Sequence, residues 1–311
     1  MALTTSLHTT VAAPTVTEFP IPPNPLSTAG PILLYDIVAG ADGNLWVSEN
    51  GQHGGPSLDS ISPAGTGFTR FPLTLGLPGG VGLGADGNVY VTDQASNKIA
   101  RVTPLGAQTL ATYASSAGTQ YISPGLDGLM WFGECNSSGV VGSVSSTATT
   151  SVEYTMGNGN NIYATTSGPD GAIWFTDSFN STIGRISGTV VADFPTTPTL
   201  LPGSVYPIAT GSDGNLWVAG YGFISKIDPA TGTYQNYPNN PNASFLIPGP
   251  DGALWYTLSG SPTNGSINRI STAGTTTSYP VSGSPNGLTV GPDGNIWFTL
   301  YSTAKVGKLA I

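Results

Sequence analysis

Seven Asp-Gly pairs punctuate the chain at nearly even spacing, and each heads the same short phrase. They begin at Asp42, Asp86, Asp127, Asp170, Asp213, Asp251 and Asp293, at intervals of 44, 41, 43, 43, 38 and 42 residues. A constant period near forty confines a chain to an array or a closed ring of like units, since one such unit cannot bury its own apolar face. The copies follow one another without a linker. Residues 15–311 therefore read as one domain, preceded by a flexible tail, residues 1–14, rich in Thr, Ala and Pro.

Each copy reads as four strands. In the last copy, Asp293-Gly294 is a tight hairpin turn, because Gly accepts positive φ and Asp bonds its own backbone. A short strand of small and β-branched residues precedes it, and Ile-Trp-Phe-Thr follows as a second strand. A third strand has the pattern of Lys98 to Val102 or Ile183 to Ile186. A fourth centres on Phe71, Tyr113, Tyr154, Phe194, Tyr237 or Tyr279, often with Pro next, which marks an edge. Four strands per copy describe a propeller blade. The fourth-strand signature also occurs at Thr17-Glu18-Phe19-Pro20, before the first turn, while the last copy stops after its third strand. The fold class is thus all-β: a seven-bladed β-propeller of four-stranded antiparallel blades, with the N-terminal strand closing the last blade. All six Trp share one position in the repeat, with Tyr90 in the second copy, and read as packing between blades.

Charged residues make up only 8% of the chain, but 39% hydrophobic content with six Trp and thirteen Tyr supplies a large core. Net charge is −9. Seven of the eight basic residues (Lys98, Arg101, Arg185, Lys226, Arg269, Lys305, Lys308) fall just after the second strand and are spread around the ring. Dispersed in this way they argue against a nucleic-acid partner. No segment has the ~18 apolar residues of a membrane span. A single cysteine, Cys135, excludes an internal disulfide. The Ser/Thr/Asn/Gly-rich, Lys-poor surface is that of a secreted or periplasmic protein, and a monomer is expected.

The phrase from Gly291 to Thr299, GPDGNIWFT, recurs at Gly168 to Asp177. With the strands Asn97 to Thr103 and Thr17 to Pro20, it resembles the virginiamycin B lyase (streptogramin lyase) family of seven-bladed propellers over nearly the whole chain. The resemblance implies a metal-assisted lyase that opens a cyclic depsipeptide at its ester by elimination, at one mouth of the channel. In that family a His begins the innermost strand of each of the last two blades. One Glu ends the last blade's second strand and another precedes its His. Here those positions are Ser244, Asn286, Leu300 and Ser284, none of which serves as a base or a charged ligand. The fold carries over and the reaction lacks its residues.

The first strand runs from one face to the Asp-Gly turn and the second returns. Residues seven before and seven after each Asp therefore share a face. Those after are Glu49, Asp93, Glu134, Asp177, Gly220, Leu258 and Leu300; those before are Tyr35, Gly79, Gln120, Tyr163, Tyr206, Ser244 and Asn286. Glu49, Asp93, Glu134 and Asp177 form a candidate Mg²⁺ or Ca²⁺ site, since both ions prefer oxygen ligands. Glu49 and Glu134, with His53 on the nearby Gly-rich loop, are candidate acid–base groups. Tyr35, Tyr163, Tyr206, Asn286 and Leu300 are candidate contacts for a small-molecule, macrocyclic or saccharide ligand. Three readings stay open: a ligand-binding propeller with altered chemistry, an active lyase or lactone hydrolase using the acidic cluster, and a non-catalytic interaction module.

Overall fold

The computed structural model describes residues 14–25, 32–50, 55–112, 118–135, 139–147, 149–156, 161–194, 201–238, 243–260, 264–301 and 303–311. The tail expected at residues 1–14 lies outside them, apart from Pro14, as do His53 and Tyr113. The described strands form seven four-stranded antiparallel sheets, and there is no helix among the described residues. The blades occupy residues 33–72, 78–112, 119–155, 162–194, 205–238, 243–280 and 285–310, the last completed by Thr15–Pro20. Thr15–Pro20 pairs with Lys305–Ala310, Phe19 opposite Val306 and Pro20 opposite Lys305. The ring is closed as the repeat predicts, by the chain's two ends.

The first strand of every blade is innermost. These strands touch one another in order around the ring, from Leu33–Ala39 to Pro285–Val290 and back. Six turn Asp residues accept a hydrogen bond from the indole Nε1 of their own blade's Trp, from Trp46 to Asp42 (3.0 Å) through Trp297 to Asp293 (2.9 Å). In the second blade the Tyr90 hydroxyl takes this role with Asp86 (3.2 Å). The turn Gly residues sit at φ between 71° and 80°, a region a Cβ disfavours. Each Trp also belongs to the core between blades, as Trp46 does against Leu73, Val81 and Val89 of the second. Five Trp stack on a fourth-strand ring, for example Trp217 on Tyr237 at 5.6 Å and Trp297 on Phe19 at 5.4 Å.

The basic residues are not at one place, which corrects the expectation above. Arg101, Arg185, Lys226, Arg269 and Lys308 stand opposite the Trp or Tyr and pair with the turn Asp at 2.5–2.7 Å. Lys98 and Lys305 stand at the other end of the third strand, Lys305 opposite Leu300 and paired with Glu18 at 2.9 Å. A strand of five or six residues carries a side chain from one face of the ring to the other, so three positions of offset separate the two groups.

Candidate functional site

Every innermost strand breaks register at the same place. In the first blade the pairing jumps between Leu34 and Ile37, in the third between Thr119 and Ile122, and the other five jump at the equivalent step. The skipped pair is the residue seven before the Asp and the one after it. A bulge interrupts the two-residue alternation and re-aims side chains. The second residue of the pair then lines the channel, as Asp36, Tyr121, Ala164, Pro207 and Phe245 do.

Hydroxyls hold the bulges. Thr176 Oγ1 accepts from the Ala164 N–H (3.2 Å) and donates to the carbonyl of Tyr206 in the next blade (2.7 Å). Thr257 joins Phe245 to Asn286, Thr299 joins Gly287 to Tyr35, and Ser48 joins Asp36 to Gly79 in the same way. All four hydroxyl residues are fully buried.

The bulges build an aromatic floor. Tyr121 and Tyr163 meet hydroxyl to hydroxyl at 3.1 Å, with ring centroids 4.8 Å apart. Tyr163 packs edge-on against Tyr206 (5.0 Å), which faces Tyr221 (6.2 Å). Tyr35 reaches past the second blade, where Gly79-Gly80 places no side chain, and its hydroxyl donates to Gln120 Oε1 in the third at 3.4 Å. Tyr121 then meets Phe245 of the sixth blade at 5.0 Å. These contacts bridge the channel at the level of the bulges. Burial pushes the Tyr35 and Tyr121 phenols well up and that of Tyr163 to about 12, so all three remain donors at neutral pH. On the rim, Tyr221 and Phe179 are 65% and 71% exposed.

Of the expected ligand contacts, Tyr35, Tyr163 and Tyr206 thus come together. Asn286 does not point to a ligand: its Nδ2 donates to Tyr35 O at 2.8 Å, clasping the last blade to the first. Leu300 is fully buried in the core of the last two blades, a correction to its expected place on the opening. Ser244 bonds Ser259 at 3.0 Å.

The four carboxylates are at the expected end of the ring but each is buried in its own blade. Asp93 accepts from Gly76 N, Leu77 N, Ala95 N and Ser96 Oγ at 2.6–3.0 Å. Burial opposes ionisation there, but those bonds hold the Asp93 carboxyl below its ordinary value. Asp177 accepts from the amides of Asn161, Phe179 and Asn180 and from Asn180 Nδ2. Glu49 accepts from Asn24 Nδ2 and Ser57 Oγ and lies 3.4 Å from Arg70, which also pairs with Asp59 at 2.9 Å. Glu134 is fully buried at the end of the third blade's second strand. Among the described residues no three His, Cys, Asp or Glu side chains converge. The acids stand on second strands, one strand out from the axis, and face the loops beside them. Asp93 and Asp177 are engaged by backbone amides and Glu49 by Asn24, Ser57 and Arg70, and carboxylates separated in this way do not fit Mg²⁺ or Ca²⁺, which require several oxygens aimed at one point. His53 lies outside the described residues. Burial pushes the Cys135 thiol up to about 12, and its Sγ donates to Ile162 O at 3.2 Å.

Asp36 is a residue the spacing argument passed over. It is 5% exposed and lines the channel on the turn side of the floor. The only signal in the sequence is an acid directly after Tyr35, where the other copies carry Gly80, Tyr121, Ala164, Pro207, Phe245 and Gly287.

The profile of the Virginiamycin B lyase family matches residues 68–219 and 201–311. The chain belongs to the virginiamycin B lyase family. Among solved structures, a streptogramin B lyase superposes with a TM-score of 0.81 at 25% identity, covering 96% of this chain and 97% of the other. Virginiamycin B lyase from Staphylococcus aureus gives 0.81 at 24%, covering 96% and 100%. A catalytically inactive variant of that lyase with quinupristin gives the same values. The last two likenesses are of fold. A comparison with curated protein sequences gives no match.

Proposed function

We propose that the chain binds, without cleaving, a small or oligomeric ligand with flat faces at the aromatic mouth of its channel, as a secreted propeller. The observation that carries this reading is the arc Tyr121–Tyr163–Tyr206–Tyr221, continuous at 4.8–6.2 Å between centroids and ending on an exposed ring. Rings fixed in this way present flat apolar surface with hydroxyl handles and lose little entropy on binding, which suits sugar rings or the aromatic groups of a macrocycle. The replacement of the family's His and Glu positions, together with the dispersal of the acids, supports binding without ring opening.

The test uses two probes, quinupristin and cellotetraose, titrated against tyrosine fluorescence and followed by chromatography. Saturable binding of one of them, weakened about tenfold by Tyr221→Ala, matches an aromatic contact of about 0.5–1.5 kcal/mol. Quinupristin recovered intact supports the reading. Its conversion to a linear product, or titrations that ignore Tyr221→Ala and Tyr206→Ala, would overturn it.

A further inference from the structure

The channel has a second half. Below the Tyr121–Phe245 contact, on the Asp-Gly side, lies a cavity of about 330 Å³ built wholly from first-strand residues. That volume falls in the range of small-molecule sites. Its walls include Leu83, Ile122, Ile208, Leu246 and Leu288, and the two rings form its roof. Asp36 is the one ionisable carboxylate lining it. Asp36 Oδ1 accepts from Ile37 N (2.7 Å) and Oδ2 from Val81 N of the second blade (2.9 Å). Among the described residues it has no ion-pair partner, so a buried carboxyl group with lone pairs to spare faces a space lined mainly by aliphatic residues, with the hydroxyl residues Ser123, Thr165, Thr166 and Thr289 among them. A carboxylate accepts about four hydrogen bonds.

A metal ion is poorly served by one carboxylate and a few neutral hydroxyls among largely aliphatic walls. An ammonium group on an apolar body suits the site better: its charge meets Asp36, its body meets the aliphatic walls, and the roof rings can face the cation. The approach favours the same sign. Five turn Asp residues on this face are paired with Arg or Lys, but Asp42 and Asp127 stand in blades whose equivalent third-strand positions are Ser60 and Ser143. Unbalanced acids around an opening raise the local concentration of cations.

We propose that the turn-side cavity is a binding site for a small apolar amine, held as its ammonium ion by Asp36. The site shares the Tyr121 ring with the aromatic mouth but takes its own ligand on the turn side of that ring. Burial pushes the free carboxyl up to about 7, so near that pH, capture of an ammonium ion expels a proton from the protonated fraction: the O–H bond of Asp36 breaks, the proton leaves to solvent, and the carboxylate pairs with the ligand. Few other groups complicate that titration. The packed strands Pro78–Leu83, Pro285–Val290 and Ile296–Leu300 carry no titratable side chain. Leu45–Asn50 brings Glu49, engaged with Asn24 and Arg70, and Tyr35 and Tyr121 are the neighbouring phenols.

The experiment is calorimetric titration of the full chain with phenethylammonium chloride at pH 6.5, in two buffers of different ionisation enthalpy, with 2-phenylethanol as the neutral match. The wild type is expected to bind the amine saturably and more tightly than the alcohol, with fractional proton release. Asp36→Asn should weaken the amine at least tenfold, abolish the release and leave the alcohol unchanged. Thr289→Trp, which obstructs the turn-side rim and keeps Asp36, should block both probes, and Tyr206→Ala at the mouth should change neither. No saturable binding by the wild type, equal affinity for amine and alcohol, or an Asp36→Asn variant that binds the amine as the wild type does would each overturn the proposal.

Discussion

Tyr121 of the third blade and Phe245 of the sixth meet edge to face, with ring centroids 5.0 Å apart and planes at 71°. In a ring of seven, blades three apart are as distant as two blades can be. The contact is therefore a bridge across the axis, and it divides one channel into an aromatic mouth and a turn-side cavity. Both rings occupy the second residue of the bulge. Neither would reach the axis from a strand that kept its alternation.

Removing the bridge should cost stability and open the partition together. Phe245 is 8% exposed, so Phe245→Ala forfeits most of a buried ring, an expected loss of about 3 kcal/mol. Urea denaturation with an unchanged slope would measure it. Phe245→Leu should recover much of the loss, because it refills the volume. A change below about 1 kcal/mol for the alanine variant would mean that the rings are not packed across the axis in solution.

The hydroxyl clasps offer a sharper test of how the mouth is held. Thr176→Val keeps the shape of the side chain but strands the Ala164 N–H and the Tyr206 carbonyl in a buried setting. The expected cost is about 1–3 kcal/mol, and Thr176→Ser should restore most of it. Since the Tyr206 backbone is released, ligand binding at the mouth should weaken in the valine variant even under conditions where it is fully folded. A valine variant with wild-type stability and binding would remove the clasp from the account.

The end of the last blade's second strand should not tolerate a carboxylate. Leu300 is fully buried between the last two blades. Leu300→Glu places a carboxylate at a fully buried position in the cluster that holds Phe298 and Leu288; Lys305, opposite it, is already paired with Glu18, and burying a further charge there costs far more than lost packing. The expected loss exceeds about 4 kcal/mol, within the class of exceptional single changes. Thermal denaturation at pH 7 would show it, with partial recovery at acidic pH as the carboxyl is protonated. A variant as stable as the wild type would mean that the end of this strand opens to solvent.

The ring was readable because its determinants are local and repeated: the Asp-Gly turn, the Trp four residues later, and the Phe or Tyr of the edge strand. Ring closure was readable from Thr17–Pro20 for the same reason. The site was readable only in part. Tyr163 and Tyr206 sit at the first bulge position, so counting back from the turn finds them. Tyr121 and Asp36 sit at the second, and a regular pleat would send them away from their neighbours. Glu49, Asp93, Glu134 and Asp177 show the opposite error. Counting forward puts them at the right height along the strand, but height does not fix radius, and a second strand faces its own loops. Spacing likewise merged Lys98 and Lys305 with the five cations at the turns, although they stand at opposite faces.

Asp36 should leave a signature in the pH dependence of folding. Burial raises its carboxyl from an ordinary 3.8 to about 7, against two backbone hydrogen bonds that lower it. The folded chain therefore holds this proton more tightly than the unfolded chain does. The linked stability is fully present below pH 3.8 and is lost as the pH rises to about 7, at up to about 1.4 kcal/mol per unit. Asp59, pushed up to about 6 mainly by burial, adds a slope of the same sign. Turn residues such as Asp251 and Asp293 work the other way: burial opposes their ionisation, but bonds to Trp, Asn, Arg or Lys hold them low, and their contribution is lost in acid. The informative quantity is thus the difference between wild type and Asp36→Asn at each pH, in which the shared groups cancel. The asparagine variant should gain on the wild type steadily between about pH 4 and 7 and hold a constant difference above that. A difference that stays flat across the same interval would show that Asp36 is ionised in the fold at ordinary acidity and is reached by water.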